Sequence, residues 1–245
     1  SIDNLNDSLT GLGAKVQKNM KVLSIIGIVI AAIVVGVIVY IFLVKKPAVK
    51  KMDNAIGQAD REMLMTGNDS TSTVMYQKVA EGSYDAANRA KLMAAIGLYK
   101  QGKYEEAIKY LKAEVEQHPN CDRAYQQLAV IYGNQGENGD ALTCIDLAIK
   151  HCPKKDTYNQ SYNHYVKAKI IENLGDNENA EAEYNKSIKL DPENSDRYVA
   201  RGDFYYNRQL FETAAADYKK ATELQPGLAI SFTRMGMCME ALDRI

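Results

Sequence analysis

The sequence predicts an all-α protein, with one N-terminal transmembrane helix followed by an α-solenoid of antiparallel helix pairs. Two patterns predict this: an uncharged apolar run at 22–44, and a sixteen-residue pattern that starts at 104, 138, 177 and 211. Each copy of the pattern has Ala at its fourth residue, a bulky apolar or aromatic residue four later, and Pro at its sixteenth. Proline is otherwise scarce, which favours helix, and the formal net charge of −1 predicts no nucleic-acid partner.

Residues 1–21 form a polar N-terminal segment, and residues 22–44 form the predicted transmembrane helix. At 1.5 Å per residue the helix is about 35 Å long, enough for a hydrocarbon core of about 30 Å. Its β-branched residues do not favour a strand, because a segment in lipid must satisfy its backbone hydrogen bonds within itself. The alternatives are a buried core helix, which the length disfavours, and a cleavable signal, which the following KKPAVKK disfavours. Pro47 predicts a kink or a break just beyond the membrane.

The lysines that flank the span favour, by a margin of one, a cytoplasmic C-terminal domain. They are Lys15, Lys18 and Lys21 before the span and Lys45, Lys46, Lys50 and Lys51 after it. Within the span, Gly27–Ala31 and Ala32–Gly36 are pairs of small residues at helical spacing. Such pairs leave a homo-oligomer of packed membrane helices as an option.

Residues 45–87 are the predicted linker and a divergent first helical hairpin, with helices at about 48–65 and 70–81. Beyond them the sixteen-residue pattern lengthens into four units of 34 residues, interrupted once by a five-residue insertion at 156–160. The units are 88–121, 122–155, 161–194 and 195–228. Residues 229–245 supply either a capping helix or a truncated fifth unit.

The repeated residues match a helix-pair repeat of 34 residues at most of its pattern positions. Unit 122–155 carries Tyr125, Leu128, Ala129, Tyr132, Gly136, Ala141, Ile145, Ala148 and Pro153. Unit 195–228 carries Tyr198, Gly202, Tyr205, Ala214, Tyr218, Ala221 and Pro226. Small residues predict close helix approach, and the proline predicts the end of the second helix. The chain therefore resembles tetratricopeptide repeat (TPR) proteins, which implies a stacked solenoid that binds proteins or peptides.

No motif of an enzyme is evident. The sequence lacks a phosphate-binding glycine loop, an HExxH motif, a CxxC pair and a nucleophile elbow. The three histidines, His118, His151 and His164, are far apart, which disfavours a metal site. The sequence therefore predicts a non-enzymatic protein, with no catalytic residue, no metal and no cofactor.

Cys121 and Cys152 are the candidates for a disulfide. One begins the first helix of a unit and the other ends the second, and antiparallel helices bring those two ends together. The alternative is two unpaired thiols. Cys144 and Cys238 fall on helices and are predicted to pack as small apolar residues.

The family resemblance also implies a binding groove, because the first helix of each unit lines the concave face of a TPR solenoid. The predicted groove residues are Leu92, Ile96, Tyr99, Arg123, Gln126, Val130, Tyr162, Tyr165, Lys169, Asp203 and Tyr206. Tyrosine offers a large, rigid contact surface with a polar tip; the alternative is that several of these tyrosines pack between helices. The family's carboxylate clamp needs Lys and Asn where this chain has Leu92 and Ile96, so the ligand of that clamp is not expected.

The N-terminal half carries a closer resemblance, in DNAIGQAD (53–60), MYQKVA (75–80), YDAANRA (84–90) and YKQGKYEEAIKYL (99–111). These motifs are similar to those of membrane-anchored TPR proteins of Bacteroidetes-type bacteria, related to the YfgM-like ancillary subunit of the Sec translocon. That resemblance implies a single-pass protein of the bacterial inner membrane with periplasmic repeats, whose partners are the translocon, chaperones and client peptides. The alternative, which the lysine count favours, is a cytosol-facing receptor or assembly factor for a membrane complex.

Overall fold

The computed structural model describes residues 2–66, 69–82 and 85–243, and every regular element in these ranges is helical. The all-α prediction is therefore confirmed. The helices are α1 (Ile2–Tyr40), α2 (Lys46–Thr66), α3 (Asp69–Ala80), α4 (Asp85–Lys100), α5 (Tyr104–Gln117), α6 (Asp122–Gln135), α7 (Asn138–His151), α8 (Thr157–Asn173), α9 (Asn177–Leu190), α10 (Ser195–Tyr206), α11 (Phe211–Leu224) and α12 (Ala229–Leu242). The chain divides into two compact units, the first ending at Gln58 and the second beginning at Ala59.

A π-helical turn, Ile41–Lys45, joins α1 to α2 in the first unit. The break expected at Pro47 is not present, because the chain keeps helical geometry from α1 into α2. The N–H of Lys46 donates to the carbonyl of Ile41, five residues earlier rather than four. Proline has no N–H, and its ring crowds a carbonyl of the preceding turn. A widened turn just before the proline relieves that crowding, which is how the helix passes Pro47 without ending.

Short turns of one design join the two helices of four successive pairs in the second unit. In each turn an N–H reaches back to the carbonyl five residues earlier, as from Lys103 to Leu98 at 2.9 Å. This bond needs a residue in the left-handed region just before it. The left-handed residues are Gly102, Gly136, Gly175 and Gln209, with φ of 75°, 80°, 81° and 61°. The pairs formed in this way are α4–α5, α6–α7, α8–α9 and α10–α11, and α12 packs on α11.

Small residues lie where the helices of a pair approach most closely. The fourth residue of each sequence pattern is a fully buried alanine: Ala107, Ala141, Ala180 and Ala214. Gly202 of α10 shows what limits the approach, because a Cβ built on it would lie 2.7 Å from Cε1 of Tyr218. Carbon atoms in favourable contact are about 3.5–4 Å apart. The fully buried Tyr218 ring therefore occupies the space that any larger residue at 202 would need.

Two carboxylates buried between helices, Glu114 and Glu183, have basic side chains beside them. The ammonium of Lys91 lies 3.6 Å from Glu114, and the two side chains are 9% and 4% exposed. The carboxylate of Glu183 pairs with His164 at 2.6 Å and with Lys186 at 2.7 Å. Burial raises the pKa of Glu183, but the hydrogen bonds with His164 and Lys186 outweigh burial and lower that pKa to about 2.

Cys121 and Cys152 are both free thiols in this structure, so the candidate disulfide between them is not formed here. Cys152 is buried and Cys121 is half-buried. Burial and a hydrogen bond with Asp122 raise the pKa of Cys152 to about 12, and burial also raises the pKa of Cys121. Both thiols therefore stay protonated near neutral pH, where only a thiolate is strongly nucleophilic. The disulfide stays a prediction that depends on the redox compartment.

Candidate binding groove

A cavity of about 260 Å³ opens between three alternate helices of the second unit, α4, α6 and α8. These are the first helices of three consecutive pairs, and α6 contacts both α4 and α8. The lining residues are Tyr99, Ala129, Val130, Gly133, Asn134, Tyr162, Tyr165, Val166, Lys169, Ile170 and Asn173. We call this cavity the groove.

Small residues keep the floor of the groove open. Gly133 faces α8, where a Cβ built on it would lie 3.4 Å from Cγ1 of Ile170. Ala129, one helical turn earlier, is fully buried. A large side chain at either position would fill the groove or push α6 away from α8. The repeat therefore makes the groove by the same means that it makes the core, with small residues at helix contacts.

Tyrosines form the walls of the groove. The side-chain amide of Asn134 donates to the hydroxyl of Tyr99 at 2.5 Å, which links α6 to α4. The rings of Tyr162 and Tyr165 lie 5.9 Å apart on α8, and Tyr165 lies 6.4 Å from the buried ring of Tyr184. Tilted aromatic contacts of this kind favour defined ring orientations. The walls are therefore aromatic faces that pack against one another and against the buried ring of Tyr184.

The charges near the groove are mostly positive. Lys169 lies at the wall and pairs with Glu172 at 3.1 Å. Glu172 also accepts from the hydroxyl of Tyr184 at 2.7 Å and lies 3.3 Å from Arg208. Burial raises the pKa of Glu172, but the Tyr184 hydrogen bond and the nearby Lys169 outweigh burial and lower it. Glu172 is thus a carboxylate shared between two cations.

A fourth helix reaches the groove from behind its tyrosines. Arg197, near the start of α10, is 6% exposed. Its guanidinium carbon lies 5.3 Å from the ring centre of Tyr162 and 4.9 Å from that of Tyr165. Its Nε donates to the hydroxyl of Ser161 at 3.3 Å. The guanidinium is therefore held against the two rings that form the groove wall.

The structure brings together five of the eleven predicted groove residues: Tyr99, Val130, Tyr162, Tyr165 and Lys169. The other six lie outside the groove. Leu92 packs against the hydrophobic core around Leu98, Leu111 and Leu128. Ile96 lines a separate cavity of about 10 Å³ with residues of α2 and α3. Arg123 lies at the start of α6, outside the groove lining.

The remaining three predicted residues have partners inside the solenoid. Gln126 is buried and donates to the side chain of Asn163 at 2.7 Å. Asp203 accepts from Tyr218 at 2.7 Å and pairs with Arg234 at 2.6 Å, and the ring of Tyr206 packs on Phe211 at 5.3 Å. Their partners lie on α8, α11 and α12, and both Asp203 and Tyr206 stay partly exposed.

Sequence reasoning missed six lining residues and one residue behind the lining: Ala129, Gly133, Asn134, Val166, Ile170, Asn173 and Arg197. One signal was available for two of them, because Asn134 and Asn173 both stand at the thirteenth position of their units. A polar residue that recurs at one position of the repeat indicates that this position faces away from the apolar core in each unit. Nothing in the repeat pattern indicates Arg197, because its role depends on its contacts with the rings of Tyr162 and Tyr165 on the neighbouring helix α8.

Models of the tetratricopeptide repeat match residues 88–131, 122–155, 162–194 and 195–227. The chain belongs to the tetratricopeptide repeat family. Among curated relatives, it is 38% identical over 85 residues to the TPR repeat-containing protein MJ0263 of Methanocaldococcus jannaschii, covering 35% of this chain and 27% of that protein. It is 25% identical over 138 residues to the human tetratricopeptide repeat protein 6, covering 56% of this chain and 25% of that protein. The chain thus spans about a quarter of the length of these TPR relatives.

Solved structures show the same fold. The thermophilic TPR protein TTC0263 of Thermus thermophilus superposes with a TM-score of 0.64 at 19% identity, covering 77% of this chain and 98% of that one. MamA of Desulfovibrio magneticus RS-1 superposes with a TM-score of 0.58 at 16% identity, covering 73% and 97%. The human protein O-mannosyl-transferase TMTC1 is similar in sequence, at 30% identity over 161 residues, but the match covers only 18% of that protein.

Proposed function

We propose that this TPR protein is a membrane-anchored, non-enzymatic scaffold that binds segments of other proteins in the groove. The observation that carries the proposal is the groove itself, which residues of three repeats line. Its walls are tyrosine rings with polar hydroxyls, and its floor is made of small residues. Aromatic surfaces of this kind bury large contact areas at low cost in side-chain entropy. TPR proteins are protein-interaction scaffolds, and we extend the absence of catalysis to this chain because its sequence has no catalytic motif.

The apolar N-terminal helix supports the membrane anchor. Among the described residues, Ser24–Met65 is long and apolar enough to cross a membrane, with a mean hydropathy of 3.2 over its most apolar window. None of that window is buried, and Leu43 is 72% exposed. Large apolar surface left in water costs about 25 cal/mol per Å². Lipid would cover this surface over the length of 22–44.

We infer that the protein lies in the bacterial inner membrane, beside the Sec translocon, with its repeats in the periplasm. There the groove would pass secreted proteins to chaperones. The resemblance of residues 53–60, 75–80 and 99–111 to YfgM-like proteins supports this partner. The lysine count favours the second candidate, a cytosol-facing receptor or assembly factor. Protease added to spheroplasts separates the two, because it removes the repeats only if they are periplasmic.

Site-specific photo-crosslinking in living cells tests the groove. A photoreactive residue at Val130, which lines the groove, should capture a translocon or chaperone subunit that mass spectrometry identifies. The matched control carries the same residue at Lys150, which is exposed on α7. Capture of the same proteins from both positions, or of none from Val130, would contradict binding in the groove.

A further inference from the structure

Arg197 is a buried cation with no carboxylate partner among the residues that the structure describes. No Asp or Glu in the described part of the chain lies within ion-pair distance of its guanidinium, whose contacts are the hydroxyl of Ser161 and the rings of Tyr162 and Tyr165. Charged side chains this deeply buried are almost always paired, because removing a charge from water is costly. The positive charge of Arg197 is therefore uncompensated next to the groove.

The other arginines of the same region show what compensation looks like. Arg201, one turn further along α10, donates through two nitrogens to Asp217 at 2.8 and 2.7 Å. Arg208 lies 3.3 Å from Glu172, and Arg234 lies 2.6 Å from Asp203. All three are more exposed than Arg197. The more exposed arginines thus have carboxylate partners, whereas the most buried of these four, Arg197, has none among the described residues.

The groove in front of Arg197 is built to donate hydrogen bonds. No carboxylate is among its lining residues in the described structure, and Lys169 at its wall shares the nearby carboxylate of Glu172 with Arg208. The hydroxyls of Tyr162 and Tyr165 make no hydrogen bond within the described ranges, and burial raises the pKa of Tyr162, so its hydroxyl stays protonated. The two phenols are able to donate, and the three cations Lys169, Arg208 and Arg197 outnumber the one nearby carboxylate, Glu172. Together they favour an anionic ligand.

We propose that the groove selects an extended protein segment carrying an acidic side chain, whose carboxylate lies against the Tyr162 and Tyr165 hydroxyls and Lys169. Arg197 is the positioning residue of this site: it orients the two rings and supplies positive potential through them. The proposal rests on the proposed function, since it names the chemistry of the segment that the groove binds. It does not use the family's carboxylate clamp, whose positions are occupied here by Leu92 and Ile96.

The test uses the full-length protein in detergent and a library of short peptides with amidated C-termini, so that no terminal carboxylate contributes. Bound peptides are resynthesised as matched pairs that differ only by Asp→Asn or Glu→Gln. We expect enrichment of acidic residues and about a tenfold loss of affinity on neutralisation, a loss that shrinks as salt is raised. Enrichment without acidic residues, or equal affinity within the pairs, would overturn the proposal and leave groove binding intact.

Three variants separate the role of charge from that of packing. Arg197→Met should lower the affinity for the acidic peptide of each pair and leave that for the neutral peptide unchanged. Arg197→Lys should restore part of the preference for the acidic peptide. Lys169→Met should reduce that preference. Thermal unfolding by circular dichroism identifies any variant that fails to fold, and the wild-type pairs and their salt dependence need no variant. Equal weakening of both peptides by Arg197→Met would assign it a structural role only. If Gly133→Leu, which fills the groove, leaves peptide binding unchanged, the proposed function fails instead.

Discussion

Replacing Gly202 by alanine tests whether ring-against-backbone packing holds the repeats together. Gly202 lies in α10 and faces Tyr218 of α11, where an added Cβ would lie 2.7, 2.9 and 3.1 Å from three ring carbons. Gly236 offers a matched control, because it stands 34 residues later at the same repeat position in α12. A Cβ at Gly236 would meet nothing within 4 Å.

The expected magnitude follows from two opposing terms. Glycine to alanine within a helix gains about 1 kcal/mol of stability. Overpacking costs about 1–3 kcal/mol, and the upper end applies here because the Tyr218 ring is fully buried and its hydroxyl is bonded to Asp203 at 2.7 Å. Gly202→Ala should therefore lower the free energy of unfolding by about 2 kcal/mol. Gly236→Ala should raise it by up to about 1 kcal/mol.

Urea unfolding of the detergent-solubilised protein, followed by far-UV circular dichroism, measures both changes. A double-mutant cycle with Tyr218→Leu identifies the cause, since removing the ring should turn the cost of Gly202→Ala into a small gain. If Gly202→Ala is as stable as wild type, the close approach does not limit packing. If its cost persists beside leucine at 218, the Tyr218 ring is not what the new methyl group meets.

Three further predictions concern a turn and the buried charges. Gln209→Gly should raise the free energy of unfolding by about 1 kcal/mol, because φ of 61° strains a residue with a Cβ; an unchanged urea midpoint would contradict that strain. Lys91→Met should cost about 3–5 kcal/mol by leaving Glu114 charged and buried, whereas adding Glu114→Leu should recover most of the loss, as urea unfolding would show. The depressed pKa of Glu183 contributes about 3 kcal/mol of stability at neutral pH, and this contribution is lost as pH falls from the ordinary value of 4.5 towards 2. Glu183→Gln should therefore flatten the dependence of unfolding free energy on pH in that window, and an unchanged slope would show that the carboxylate is not stabilised by its pairing with His164.

The sequence pattern predicted the helix pairs because it records contacts within one repeat. An alanine at the fourth position and a bulky residue four later lie on one helical face, so their spacing reports a helix and its buried side together. Three of the four turns use a glycine, Gly102, Gly136 or Gly175, which is a local sequence signal because the turn needs a left-handed residue. The fourth turn uses Gln209, which no turn preference predicts.

The groove depended on contacts between repeats, which the period does not record. Equivalent positions of different units have different neighbours: Leu92 and Tyr165 both pack against the hydrophobic core, but of the two it is Tyr165 that also lines the groove. Gln126 and Asp203, two further predicted groove residues, hydrogen-bond with side chains of neighbouring helices. Whether a given position lines the groove or is paired inside the solenoid depends on the side chain that the adjacent helix places next to it.

By itself, the sequence determined the all-helical class, the tetratricopeptide period and the apolar N-terminal helix, because each of these follows from local spacing and local hydrophobicity. Only the tertiary structure decided that α4, α6 and α8 enclose a cavity and that Arg197 is buried behind Tyr162 and Tyr165, with no carboxylate of the described residues beside it. The physical reason is that burial and charge pairing are set by groups that are distant in sequence. Repeat periodicity brings those groups together but does not determine their chemistry.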